Sequence, residues 1–217
     1  MLLLWDVDGT LIHGKGAGRR AMNRAFEQRF RVPDAYRDAE FAGGLDAPLF
    51  EDAFARHGLD RADMGPFLED YFRFLEEELV RAGASVIPGA REALERLSRR
   101  PELYHALGTG NLERGARIKL GLFDLNRHFP VGGFSDGVRT RAEMLEQGIA
   151  RASMHYGRTF AAQDVLVIGD TVRDIAAARE VGARVLAVST GAGEHGDLRA
   201  ARPDWLIADL REMPGLR

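Results

Sequence analysis

The amino-acid sequence predicts an α/β fold, a doubly wound parallel sheet with a helical segment inserted after the first strand. Three observations carry this. Short apolar runs alternate with longer amphipathic stretches along most of the chain. The runs are continuously apolar, as suits strands covered on both faces. Between about residues 17 and 84 the alternation stops, and only helical patterns appear.

The first strand is expected over Leu2 to Val7, closing on Asp8-Gly9-Thr10. Later runs at Leu103 to Leu107, Val165 to Ile168 and Val185 to Val188 close on Gly108-Thr109-Gly110, Gly169-Asp170-Thr171 and Ser189-Thr190-Gly191. Trp205 to Ile207 reads as a fifth run. Helices are expected between them at Ala90 to Leu97, Leu112 to Leu120, Arg141 to Tyr156 and Thr171 to Val181. Asn111 is a suitable N-cap, and Gly121 and Gly182 are suitable stops. Such alternation implies right-handed crossovers. The inserted segment reads as helices at Arg20 to Arg31, Ala47 to His57 and Pro66 to Ala82. Gly14 to Gly18 and Ala82 to Ser85 have the small-residue composition of hinges. The expected division is a core of residues 1–16 and 85–217 with a helical cap of residues 17–84.

Composition narrows the chemistry. The 217 residues are 45% hydrophobic and 29% charged, an ordinary globular balance. No cysteine is present. That excludes disulfides, thiolate metal sites and a Cys nucleophile, and it fits a reducing compartment such as the cytoplasm. A formal charge of −3 argues against a nucleic-acid partner. No apolar run approaches the roughly 18 residues of a membrane span. The N-terminus has no basic region before its apolar run, so no signal peptide is expected.

In open α/β sheets ligands sit beyond the carboxyl ends of the strands. The sequence collects Asp6, Asp8, Thr109, Asn111, Asp170 and Asp174 there. Several carboxylates without a thiol or histidine cluster describe a hard-cation site suited to Mg²⁺. Asp6 and Asp8, two residues apart, are expected on one face, where two like charges need a cation or a proton between them. One carboxylate can attack phosphorus while the other handles the leaving oxygen's proton. Gly9 permits the sharp turn after the strand. Thr109, the Gly110 amide and Asn111 at a helix start form an expected cradle for phosphate oxygens. Arg139 or Arg141 would supply positive charge to the transferring group.

Asp6-Val7-Asp8-Gly9-Thr10-Leu11 resembles the first motif of the haloacid dehalogenase-like superfamily. Thr109 matches its second motif, and Gly169-Asp170-Thr171-Val172-Arg173-Asp174 its fourth. The position of the helical insert is similar to the phosphoglycolate phosphatase and phosphoglucomutase-like branch. The resemblance implies a Rossmann-like core and a Mg²⁺-dependent phosphatase of a small phosphorylated metabolite. It implies Asp6 as the nucleophile forming an aspartyl-phosphate. Asp8 would be the general acid, then base, giving its main-chain carbonyl to the metal. Asp170 would be a direct metal ligand, Asp174 an indirect one, and Thr109 a phosphoryl ligand. The branch's third motif often carries a Lys before Pro. No Lys occupies that region, and Lys119 lies inside the preceding helix. Arg141, 28 residues before Gly169, is therefore preferred to Arg139. The alternatives are a phosphomutase on the same fold and a non-catalytic binding protein. A dehalogenase is disfavoured by Asp8, because carbon–halogen displacement needs no acid.

Overall fold

A computed structural model describes residues 1–39, 41, 43–191 and 195–216. Its centre is a six-stranded parallel sheet in the order β5-β4-β1-β6-β7-β8. These strands are β1 (Leu2–Trp5), β4 (Tyr104–Gly108), β5 (Gly132–Gly133), β6 (Val165–Gly169), β7 (Arg184–Val188) and β8 (Trp205–Ile207). The continuous apolar runs are explained by two cores, one on each face. Leu3, Trp5, Leu166, Ile168, Leu186 and Val188 face one core, together with α4 (Ala90–Ser98) and α5 (Glu113–Gly121). Leu2, Leu4, Val165, Val167, Val185 and Ala187 face the other, together with α6 (Arg141–Tyr156), α7 (Val172–Glu180) and α8 (His195–Ala200). The doubly wound parallel sheet expected from the sequence is the observed architecture.

The first strand is shorter than its apolar run. The Asp6 amide still donates to Ile168 O at 2.9 Å, but Val7 O accepts from the amides of Leu11 and Ile12, closing a turn. β5 escaped sequence reading because it is two glycines. Gly133 has no room for a side chain, since a Cβ would lie 1.9 Å from Met144 O on α6.

α1 (Ala17–Phe30), α2 (Asp46–Arg56) and α3 (Met64–Ala82) gather a separate aromatic core around Phe26, Tyr36, Phe50, Phe54, Phe67 and Tyr71. The two chain passages joining it to the sheet form a small antiparallel ribbon, β2 (Ile12–His13) with β3 (Ser85–Val86). The linkers are shorter than their composition suggested: Ala17 and Gly18 lie within α1, and Ala82 ends α3.

Candidate active site

The carboxyl ends of β1, β4 and β6 open onto a cavity of about 620 Å³. β1 delivers Asp6 and the following turn delivers Asp8. Gly9, at φ 79°, turns beneath Asp170, and a Cβ there would stand 2.4 Å from Asp170 Oδ2. Thr109, Gly110 and Asn111 follow β4, and Asp170 follows β6. Arg141 is the first residue of α6, and Lys119 projects from the last turn of α5. Every residue named here lines the cavity. The exception among the expected site residues is Asp174, which lies buried behind it.

The polar groups divide into two sets. In the first, oxygen atoms of Asp6, Asp170 and Asp174, all buried, lie within 4.8 Å of one another. The Arg141 guanidinium pairs with Asp174 and stands 3.9 Å from Asp6 Oδ1. Burial, then the neighbouring Asp174 charge, pushes the Asp6 carboxyl up to about 7, with Arg141 acting in the opposite direction. Asp174 also closes its own helix start. It accepts from the Thr171 amide at 3.0 Å and the Thr171 hydroxyl at 2.6 Å. In the second set, Asp8 Oδ2 accepts from Lys119 Nζ at 2.5 Å and from Asn111 Nδ2 at 2.8 Å. Asn111 Nδ2 also reaches Thr109 Oγ1 at 2.7 Å, and Asn111 Oδ1 accepts from Lys119 at 2.5 Å. Burial works against the Lys119 ammonium, but Asp8, Asp46 and Asp6 together raise it above its ordinary value.

Three sequence expectations change here. The Asp8 carboxylate is not part of the three-carboxylate cluster with Asp6 and pairs instead with Lys119. Position inside a helix did not remove Lys119 from the site. A four-carbon stem is long enough to carry its charge from the helix face to the strand ends. Composition held a signal for it. Of 30 basic residues only Lys15 and Lys119 are lysines, and both line this cavity. Asn111 is not the N-cap of α5, since its side chain is spent on Asp8, Thr109 and Lys119. The free amides there go instead to carboxylates from elsewhere, Leu112 N to Asp46 Oδ2 at 3.2 Å and Glu113 N to Asp136 Oδ2 at 2.7 Å. Arg139 lies outside the cavity lining, paired with Glu51 at 2.6 Å.

Asp46 is a polar group of the glycine-containing loop at 41–46, in which Ala42 lies outside the described residues. The loop rests directly on the strand ends. Asp46 N donates to Gly110 O at 2.8 Å, and Arg141 NH1 donates to Gly43 O at 3.2 Å. Burial pushes the Asp46 carboxyl up to about 6, with Lys119 opposing it.

Residues 1–182 match the family described as haloacid dehalogenase-like hydrolase. The chain belongs to that family. It is 30% identical to a 5'-nucleotidase of Pseudomonas aeruginosa, an alignment covering 97% of this chain and 92% of the relative. Family membership, with this relative, supports a phosphoric monoester hydrolase. Among solved structures, CbbY from Rhodobacter sphaeroides in complex with phosphate superposes with a TM-score of 0.75 at 18% identity. That match covers 99% of this chain and 96% of the other. A predicted phosphoglycolate phosphatase from Haemophilus somnus superposes at 0.64 with 18% identity, over 98% and 95% of the two chains. These structural likenesses concern the fold. No helix among the described residues is long and apolar enough to cross a membrane.

Proposed function

We propose that the protein is a Mg²⁺-dependent phosphatase of a small phosphorylated metabolite, working through an aspartyl-phosphate on Asp6. The observation that supports it most is the pairing of two differently equipped carboxylates in one cavity. Asp6 sits with Asp170, Asp174 and Arg141, while Asp8 is held by Lys119 and Asn111.

The donor set fits a divalent cation. Three buried carboxylates with all-oxygen donors suit Mg²⁺. Burial and the Asp174 charge, which raise the Asp6 carboxyl, are what a bound cation would offset. Asp6, Asp170 and the Asp8 carbonyl would hold the ion, and Asp174 would support it. A bound Mg²⁺ would neutralise charge on the nucleophile and the phosphoryl oxygens.

The chain's own groups account for the rest. Asp6 attacks phosphorus in line, and Thr109 Oγ1, the Gly110 amide and Arg141 hold the non-bridging oxygens. Lys119 and Asn111 fix Asp8 through Oδ2. Its Oδ1 lies beside Gly14, where a Cβ would stand 3.4 Å away. This oxygen protonates the leaving alcohol, then takes a proton from the water that hydrolyses the aspartyl-phosphate. A covalent intermediate divides one difficult displacement into two easier ones. Residues 17–84 act as a cap over the core of residues 1–16 and 85–217, excluding bulk water during transfer. A cytoplasmic location belongs to the same reading.

The test is phosphate release from p-nitrophenyl phosphate and a panel that includes nucleoside monophosphates, suggested by the 5'-nucleotidase relative. Turnover should vanish with EDTA and return with Mg²⁺. Asp6→Asn should lower kcat by at least about 10⁴-fold, as removal of a nucleophile does, without lowering the melting temperature. Wild-type turnover in that variant would remove Asp6 from the nucleophile's role.

A further inference from the structure

The cavity extends beyond the strand ends along β2 and the start of α1, where His13, Lys15, Arg19 and Arg20 line it. Of the lining residues between 13 and 22, Lys15, Arg19 and Arg20 are cationic and none is a carboxylate. Arg19 is committed elsewhere. It donates to Ala39 O at 3.0 Å, and its guanidinium lies over the Phe41 ring at 4.4 Å. Arg20 is different. Its Nε donates to Glu78 Oε2 at 2.8 Å, and its NH1 donates to Lys15 O at 2.9 Å. A guanidinium has five N–H donors, and NH2 of Arg20 has no partner among the described residues.

Glu78 explains how Arg20 is held. It is 0% exposed and accepts from Arg24 at 2.8 Å and Arg81 at 3.2 Å as well as from Arg20. One buried carboxylate shared by three arginines fixes the Nε edge of Arg20 without neutralising the whole group. Among the other groups that line the cavity without a hydrogen-bond partner among the described residues is the buried hydroxyl of Tyr71.

We propose that Arg20 is a specificity-determining residue, held by Glu78 as a positioning residue, that grips a second anionic group on the substrate's leaving portion. The substrate class is then a phosphomonoester whose alcohol part carries a carboxylate or another phosphate. A neutral leaving portion such as a nucleoside accepts weaker hydrogen bonds from a guanidinium than a carboxylate or phosphate does. This rests on the phosphatase reading above.

The experiment compares kcat/KM of wild type, Arg20→Gln and Glu78→Gln on four probes. 2-Phosphoglycolate and fructose 1,6-bisphosphate carry the second anion; adenosine 5'-monophosphate and p-nitrophenyl phosphate do not. Wild type should prefer one of the first pair. Loss of a charge-assisted contact is worth roughly tenfold or more. Arg20→Gln should therefore lose at least about tenfold more kcat/KM on the preferred probe than on p-nitrophenyl phosphate, through KM. Glu78→Gln should shift KM in the same direction with kcat retained, whereas a purely structural role would lower melting temperature and active fraction without altering the ratio between probes. Arg20→Gln, at a half-exposed position, keeps the test open if Glu78→Gln does not fold. Equal losses on all probes, or a wild-type preference for the nucleotide, overturn the Arg20 proposal and leave the phosphatase standing. No phosphate release from any probe removes both.

Discussion

The strand ends and the helical cap bury polar chemistry in opposite ways. At the strand ends Asp6, Thr109, Asn111, Lys119, Asp170 and Asp174 are all buried, and Thr109, Asn111 and Lys119 are linked by short hydrogen bonds. The cap interior is aromatic, with Phe67 touching Phe26, Phe50 and Phe54 at centroid distances of 5.6, 5.3 and 5.4 Å. Among the described cap residues Glu78 is a fully buried charge, and arginines surround it. The strand ends hold like charges together at a cost, because groups preorganised around developing charge are what a phosphoryl transfer needs. The helical segment of residues 17–84 is packed instead through apolar contact.

The largest effect should come from the cap interior. Phe67 is fully buried and meets four other rings, including Phe30 at 6.4 Å. Phe67→Ala should cost about 3–5 kcal/mol in urea unfolding, as buried Phe truncations do. A loss below about 1 kcal/mol would break the view that these rings carry the cap.

The strand ends should respond in rate rather than in stability. Lys119→Met leaves the half-exposed Asp8 carboxylate without its cation, and kcat should fall about 10²–10³-fold, in the range of a lost charge-stabilising donor. Arg141→Ala should also be costly. Arg139→Ala should stay within about twofold, because its partner Glu51 is a surface ion pair. Steady-state kinetics with parallel melts decide this. A greater loss for Arg139→Ala than for Arg141→Ala would reverse the assignment.

The junction between the two regions should give a smaller change. A Cβ on Gly110 would stand 1.9 Å from Gly44 O of the cap loop. Gly110→Ala must push that loop outward, at about 1–3 kcal/mol for overpacking. Hydrogen exchange at residues 43–47 should rise while the sheet amides stay protected. Unchanged exchange there would mean that the loop does not depend on this close approach.

Legibility followed the same boundary. The apolar runs fixed the strands within a residue or two, and Asp6, Asp8, Thr109 and Asp170 announced themselves because strand-end chemistry is local in sequence. Lys119 was not legible from spacing, since its partner Asp8 lies 111 residues away. β5 carried no pattern because packing against Met144, not side-chain chemistry, selects its glycines. In the cap the helices were legible by periodicity, but the Arg20–Glu78 pair spans 58 residues and depends on how α1 meets α3. Asp46 was visible as a polar loop residue, yet its task of capping α5 exists only once the loop is docked.

The two regions should also separate along the pH axis. His105 on β4 is buried and stacks on Trp5 at 6.0 Å. Burial, aided by His128, lowers its pKa to about 4. An unfolded histidine titrates near 6.5, so below that pH the unfolded chain binds the proton first. This contribution is complete above about 6.5 and is lost as pH falls toward 4, on the order of 1–3 kcal/mol in all. Asp6 and Asp46, with raised carboxyls, act in the opposite direction, so the difference from a His105→Phe variant isolates the histidine. Glu78 behaves differently: burial opposes its charge, but hydrogen bonds from Arg20 and Arg24 outweigh that and lower its pKa. Its contribution is present above the usual carboxylate range and is lost only in stronger acid. Both tryptophans, Trp5 and Trp205, pack in the sheet's core, so their fluorescence reports that region. Urea unfolding followed by that signal at pH 7, 5.5 and 4.5 should show wild type losing stability relative to His105→Phe across this range. Parallel curves for the two proteins would show that the buried imidazole does not set the acid sensitivity of the sheet.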